Sequence, residues 1–156
     1  MLFNSPEFVI FFTFIIAAII VFKNKKFQHL LILFASYLFY YYSGTFYLSL
    51  LVASTLINFW FGKMIHNTSS KNKKIIFSIS MAFNLGLLGF FKYVNFFVEQ
   101  VNSGLTFVGI QQISFLEIAL PIGISFYTFH SMGYLIDIYR QQISPSESFL
   151  DYSIYV

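Results

Sequence analysis

"QHLLILFASYLFYYYSGTFYLSLLVASTLINFWF", Gln28 to Phe61, is apolar almost throughout. As one helix at about 1.5 Å per residue it would reach roughly 50 Å, against a bilayer hydrocarbon core of about 30 Å. It must therefore fold back. Its one turn-like break is Ser43-Gly44-Thr45. The stretch predicts two helices, 28–42 and 45–65, joined by a tight hairpin.

The rest of the chain is of the same kind. Its 156 residues are 58% hydrophobic, 22% aromatic and 10% charged. Soluble domains average about 25% charged residues, so this composition specifies an integral membrane protein. The reading is all-α: a polytopic transmembrane helical bundle of about five spans. The spans fall at 6–22, 28–42, 45–65, 75–91 and 116–138, the lengths a bilayer demands. The order of Glu7, the run "FVIFFTFIIAAIIVF" and "KNKK" (Lys23–Lys26) is opposite to that of a cleavable signal. It predicts an uncleaved first span with its N-terminus outside.

Charge tests the hairpin. With the turn at Ser43-Gly44, the lysines at 23, 25, 26, 63, 71, 73 and 74 and Arg140 all fall inside, and only Lys92 falls outside. A single long span would put Lys71, Lys73 and Lys74 outside. The positive-inside rule favours the hairpin. It also places the aromatic cluster Tyr37–Tyr47 at the outer interface, where tyrosine keeps its ring in lipid and its hydroxyl in water. The net charge of +3 is therefore a topology signal and does not point to nucleic acid. The segment 93–114 reads as external. Within it "NFFVEQV" suits an interfacial helix or a surface loop, and Asn102-Ser103-Gly104 ends it. Lys92 either snorkels to the outer surface or meets an anionic substrate there. The chain stops at "FLDYSIYV" as a new apolar run begins, so a continuation is expected.

Polar residues at membrane depth are expensive and mark packing or function. Ser54, Asn58 and Gly62 recur every four residues on one face. That spacing predicts close helix–helix contact with Asn58 bonding across; the alternative is a polar channel lining. In the fourth span Ala82, Gly86 and Gly89 make a small-residue face, with Asn84 as its polar exception. In the last span Gly123, Tyr127, His130, Tyr134 and Asp137 step by four, three, four and three, forming one polar seam turned to protein or water. Asp137 and Arg140 are spaced to pair. His130 reads as a hydrogen-bonded partner of a tyrosine or a backbone carbonyl. His29 and His66 lie beside lysines and read as solvated. Cysteine is absent, which removes thiolate zinc sites and a cysteine nucleophile. No metal-ligand spacing, phosphate-binding glycine loop or serine elbow occurs.

Five stretches then carry a resemblance. "MLFNSPEFVIFF", "LFASYLFYYYSG", "NLGLLGFFKYVNFF", "LPIGISFYTFHSMGYLIDIYR" and "FLDYSIYV" occur in order. Together they resemble the N-terminal third of a membrane-bound O-acyltransferase, most nearly the bacterial alginate O-acetylation proteins. The resemblance implies a multi-pass enzyme of the cell inner membrane. Such an enzyme moves an acyl group, acetyl above all, from a cytoplasmic donor such as acetyl-CoA to an exported polysaccharide. It works beside membrane lipid and through an extracytoplasmic partner acetyltransferase. The implied donor is a substrate, and no bound cofactor or metal is implied. The family's essential histidine falls beyond residue 156, so no catalytic residue is assigned here. Two other readings fit the composition alone: a polysaccharide or lipid transporter subunit, and a structural membrane subunit.

Overall fold

The computed structural model describes residues 6–42, 44–107, 111 and 118–156. Among these residues six helices run in order: α1 (Pro6–Val21), α2 (Lys25–Tyr41), α3 (Thr45–Asn67), α4 (Ser70–Phe107), α5 (Ile124–Tyr139) and α6 (Phe149–Tyr155). No strand occurs among the described residues. An all-helical arrangement of the described residues fits the composition, since in a membrane every backbone group must bond within its own segment.

Local chemistry sets the helix ends. The Asn24 side chain caps α2 by accepting from the Lys26 amide at 3.1 Å. The α2–α3 hairpin falls where the sequence places it. Gly44 holds φ 134°, a conformation open to glycine, and its amide bonds Tyr41 O at 3.0 Å. Ser43 itself lies outside the described residues.

Two helices differ from the sequence reading. The fourth was expected to end near Phe91 and a separate interfacial segment to stop at Asn102-Ser103-Gly104. Instead α4 is continuous to Phe107. At about 1.5 Å per residue it is roughly 57 Å long and outreaches any bilayer. A lone Gly104 costs a helix only about 1 kcal/mol, too little to stop it. The fifth was expected from residue 116; its first two residues lie outside the described ones, and α5 starts at Ile124. The preceding Gly123 is left-handed at φ 75°, and Ile124 N closes a turn onto Pro121 O at 3.2 Å. Proline and a left-handed glycine together delay the helix.

By length and composition, Thr45–Asn67 and Asn72–Phe107 are long and apolar enough to cross a membrane. The central packing is among α3, α4 and α5, with α6 laid against α2 and α3. One buried cluster joins Phe59 and Ile65 of α3 to Tyr134, Leu135 and Ile138 of α5 and to Tyr152 of α6. A second joins Leu88 and Phe91 of α4 to Ile124 and Tyr127 of α5. Outward positions are also apolar: Ile10, Phe14 and Ile20 of α1 are each at least 71% exposed. Contiguous exposed apolar surface of this kind fits lipid.

The small residues divide. Gly62 is at a true contact: a Cβ there would lie 2.9 Å from Tyr134 Cε1 and 3.1 Å from Ile138 Cδ1. The Ala82–Gly86–Gly89 face is not at one. Ala82 and Gly86 are exposed, and nothing lies within 4 Å of a Cβ built at Gly86 or Gly89. Here α4 turns Ser80, Asn84, Leu88 and Phe91 inward instead. The polar asparagine has a buried partner to find, and the glycines have none.

Candidate functional site

The site is built where the chain enters α5. Three side chains hold the segment before it. Asn95 of α4 brackets Ile118, donating to its carbonyl at 2.8 Å and accepting from its amide at 3.1 Å. Tyr47 donates to Ala119 O at 3.1 Å, and Tyr40 donates to Ile122 O at 2.7 Å. Those two hydroxyls satisfy carbonyls that have no helix to bond within. The aromatic cluster was expected to present its hydroxyls to water; two of them clamp backbone instead. The partners are 72 and 82 residues away, so local sequence carries no sign of them.

Behind this clamp lies a cavity of about 380 Å³ between α2, α3, the start of α5, and α6. Ser36, Tyr37, Tyr40, Thr55, Tyr127 and Ser153 supply its polar atoms. Thr55 donates to Leu51 O at 2.7 Å and Ser153 to Phe149 O at 2.8 Å. Among the described residues the buried hydroxyls of Tyr37 and Tyr127 make no hydrogen bond of good geometry, and that of Tyr127 lies beside the Tyr40 hydroxyl. Tyr127 is only 4% exposed. Thr128 and Tyr152 also hold unpartnered hydroxyls, but do not line the cavity.

The rest of the seam is not one polar path. Tyr134 is buried in the core, packs at a tilt on Tyr152 at 4.6 Å between centroids, and accepts from the Ser146 amide at 2.9 Å. His130 is half-buried. It was expected to hydrogen-bond, yet among the described residues its ring nitrogens have no such partner. The ring lies between Phe126 and Tyr155, at 5.5 and 4.2 Å. Asp137 is half-buried and Arg140 exposed, and they form no ion pair. His29 Nδ1 lies 3.1 Å from Asp151 Oδ1, so this partly solvated histidine also has a carboxylate partner. His66 is exposed.

Asn58 and Asn84 do meet. Each is 1% exposed. Asn84 Nδ2 donates to Asn58 Oδ1 at 2.7 Å, and Asn58 Nδ2 donates to Asn84 Oδ1 at 3.1 Å. The second amide hydrogen of each goes to the carbonyl four residues back, Ser54 at 2.9 Å and Ser80 at 2.8 Å. All four amide hydrogens are used, and the pair locks α3 to α4. A closed pair of this kind is packing and lines no channel.

Sequence reasoning missed α6. Its Phe149 and Tyr152 both pack on Phe59, with centroids 5.5 and 5.9 Å away. The three-residue spacing of these two aromatics was the available signal. Among the described residues no group of three His, Asp or Glu is placed to hold a metal ion.

Known proteins resemble the whole chain. The probable alginate O-acetylase AlgI of Pseudomonas syringae pv. tomato is 32% identical over 100% of this chain and 30% of its own length. That of Pseudomonas aeruginosa is 34% identical, again over 100% of this chain and 30% of its own. A peptidoglycan O-acetyltransferase of Helicobacter pylori is 34% identical over 90% of this chain and 27% of its own. The chain thus spans about a third of the length of the curated relatives it matches. No family model matches the chain, and no solved structure does. Over its whole length the chain is homologous to proteins named alginate O-acetylase, and over most of it to one named peptidoglycan O-acetyltransferase, so its likeness to the membrane-bound O-acyltransferases stands.

Proposed function

We propose that this chain is part of a multi-pass O-acetyltransferase of the inner membrane. The full-length enzyme takes an acetyl group from a cytoplasmic donor, acetyl-CoA or another acyl carrier. It delivers the group to an exported polysaccharide with the help of an extracytoplasmic acetyltransferase. The carrying observation is the similarity over the full chain to relatives named for two different glycans, alginate and peptidoglycan. Their shared chemistry is an ester formed on a sugar hydroxyl. Five spans with the N-terminus outside belong to the same proposal, an arrangement that would set the lysine clusters on the donor's side. The helices α1, α2 and α5 support it too: at 16, 17 and 16 residues they reach only roughly 24–26 Å, which thins the barrier to be crossed. The catalytic base belongs to a histidine beyond residue 156, as the family resemblance implies.

The test is direct. The full-length gene is expressed, with its neighbouring genes, in a strain lacking polysaccharide O-acetylation. Alkali-labile acetate on the purified exported glycan is then measured. Restored ester acetate supports the function. Its absence, with protein present in the membrane, sinks it.

A further inference from the structure

We infer that the cavity between α2, α5 and α6 holds the carbonyl oxygen of an acyl ester or thioester, gripped by the hydroxyls of Tyr37 and Tyr127. Both phenols line this one cavity; among the described residues neither buried hydroxyl makes a hydrogen bond of good geometry, and Tyr127 has only the Tyr40 hydroxyl, itself donating to Ile122 O, beside it. A buried hydroxyl without a bond costs about 1–3 kcal/mol, so two on one cavity call for an acceptor. Three other lining hydroxyls are already engaged, Tyr40 with Ile122 O, Thr55 with Leu51 O and Ser153 with Phe149 O, and Ser36 stands on the exposed rim.

Charge narrows the ligand. Among the described residues no lysine, arginine, histidine, aspartate or glutamate lines the cavity. A phosphate or carboxylate would lie there uncompensated, and so would an ammonium. A neutral acceptor remains. The other walls include Phe39, Leu51, Ile122 and Phe126, which suit an apolar substituent on that acceptor. A carbonyl on a short acyl group meets both demands. The volume of about 380 Å³ falls in the range of about 300–1,000 Å³ typical of small-molecule sites. The site itself does not depend on the acyl-transfer reading; the choice of an acetyl donor as its source does. The other source is the ester of a bilayer lipid.

The experiment uses the full-length protein and two photoreactive probes. One is a diazirine-bearing butyryl thioester of pantetheine, offered in maltoside micelles that contain no ester. The other is a phosphatidylglycerol with a diazirine beside its ester, offered in nanodiscs. Crosslinks are mapped to Ile122 and Phe126. Wild-type protein is labelled there, and Tyr127→Phe and Tyr37→Phe each lower labelling about two- to tenfold, the worth of one neutral hydrogen bond. Ser36→Phe, which fills the cavity and leaves both phenols in place, abolishes labelling. Labelling by the thioester assigns the acyl donor, and labelling by the lipid alone assigns a lipid ester; each supports the site. Labelling by both probes that survives in the double Phe variant overturns the inference, as does absence of labelling at Ile122 and Phe126 in the wild type. A melting temperature raised by Tyr127→Phe would mark that hydroxyl as a dry orphan and also overturn it. Hydroxyl-dependent labelling without acetyl transfer would sink the function proposed above and leave this site standing.

Discussion

Replacing Asn58 by leucine tests what joins α3 to α4. The single change leaves Asn84 with an unbonded Oδ1 and one unbonded N–H, while its other N–H still reaches Ser80 O. Each buried orphan costs about 1–3 kcal/mol. Asn84→Leu has the mirror effect on Asn58. The double leucine variant removes both partners together and orphans nothing. Its cost therefore falls below the sum of the two singles. Hydrogen bonds between membrane helices average about 0.6 kcal/mol in mutant cycles and reach about 1.7. Two reciprocal bonds give an expected coupling of about 1–2 kcal/mol. The assay is reversible unfolding of the full-length protein by SDS titration in mixed micelles, for wild type, both singles and the double. Single effects that add to within about 0.4 kcal/mol would refute the reasoning, because that is how independent sites behave. The lock also has a consequence at the site, since α3 carries Gly62 against Tyr134 and Thr55 into the cavity wall.

Gly62→Ala is expected to lower stability by about 1–3 kcal/mol, because its Cβ would meet the Tyr134 ring at 2.9 Å; Gly86→Ala, with nothing within 4 Å, should be neutral or stabilising by up to about 1 kcal/mol. Melting of the two variants in one detergent decides, and equal effects would refute the assigned contact. His130→Phe keeps the stack on Phe126 and Tyr155 and should retain most acetyl transfer. His130→Gln should do the same. A loss of about 10²–10⁴-fold at normal protein level, in both variants, would show that His130 acts as a base. Because cysteine is absent, topology can be read from single introduced thiols. Ser43→Cys should label from outside and Asn72→Cys only from inside; the reverse pattern would overturn the N-out arrangement.

The sequence by itself determined the helical class, the fold-back near Gly44 and the inward turn of Asn58, Tyr127 and Tyr134, whereas it took the wrong face of α4 and left Asn84 as an exception. Each follows from a local quantity: an apolar run too long for a bilayer, a break within it, or polar residues repeating at helical spacing. It also carried the resemblance to O-acyltransferases. Helix ends were legible only where a residue forbids continuation. Gly104 does not forbid it, so α4 runs on to Phe107. Tertiary structure alone decided the partners. Asn58 and Asn84 lie 26 residues apart, and Tyr40 and Ile122 lie 82 apart. Nothing in either local stretch encodes the other. The cavity has the same origin. Among the described residues Tyr37 and Tyr127 are its buried unbonded hydroxyls, since Thr55, Ser153 and Tyr40 bond elsewhere, and that assignment depends on how four helices pack.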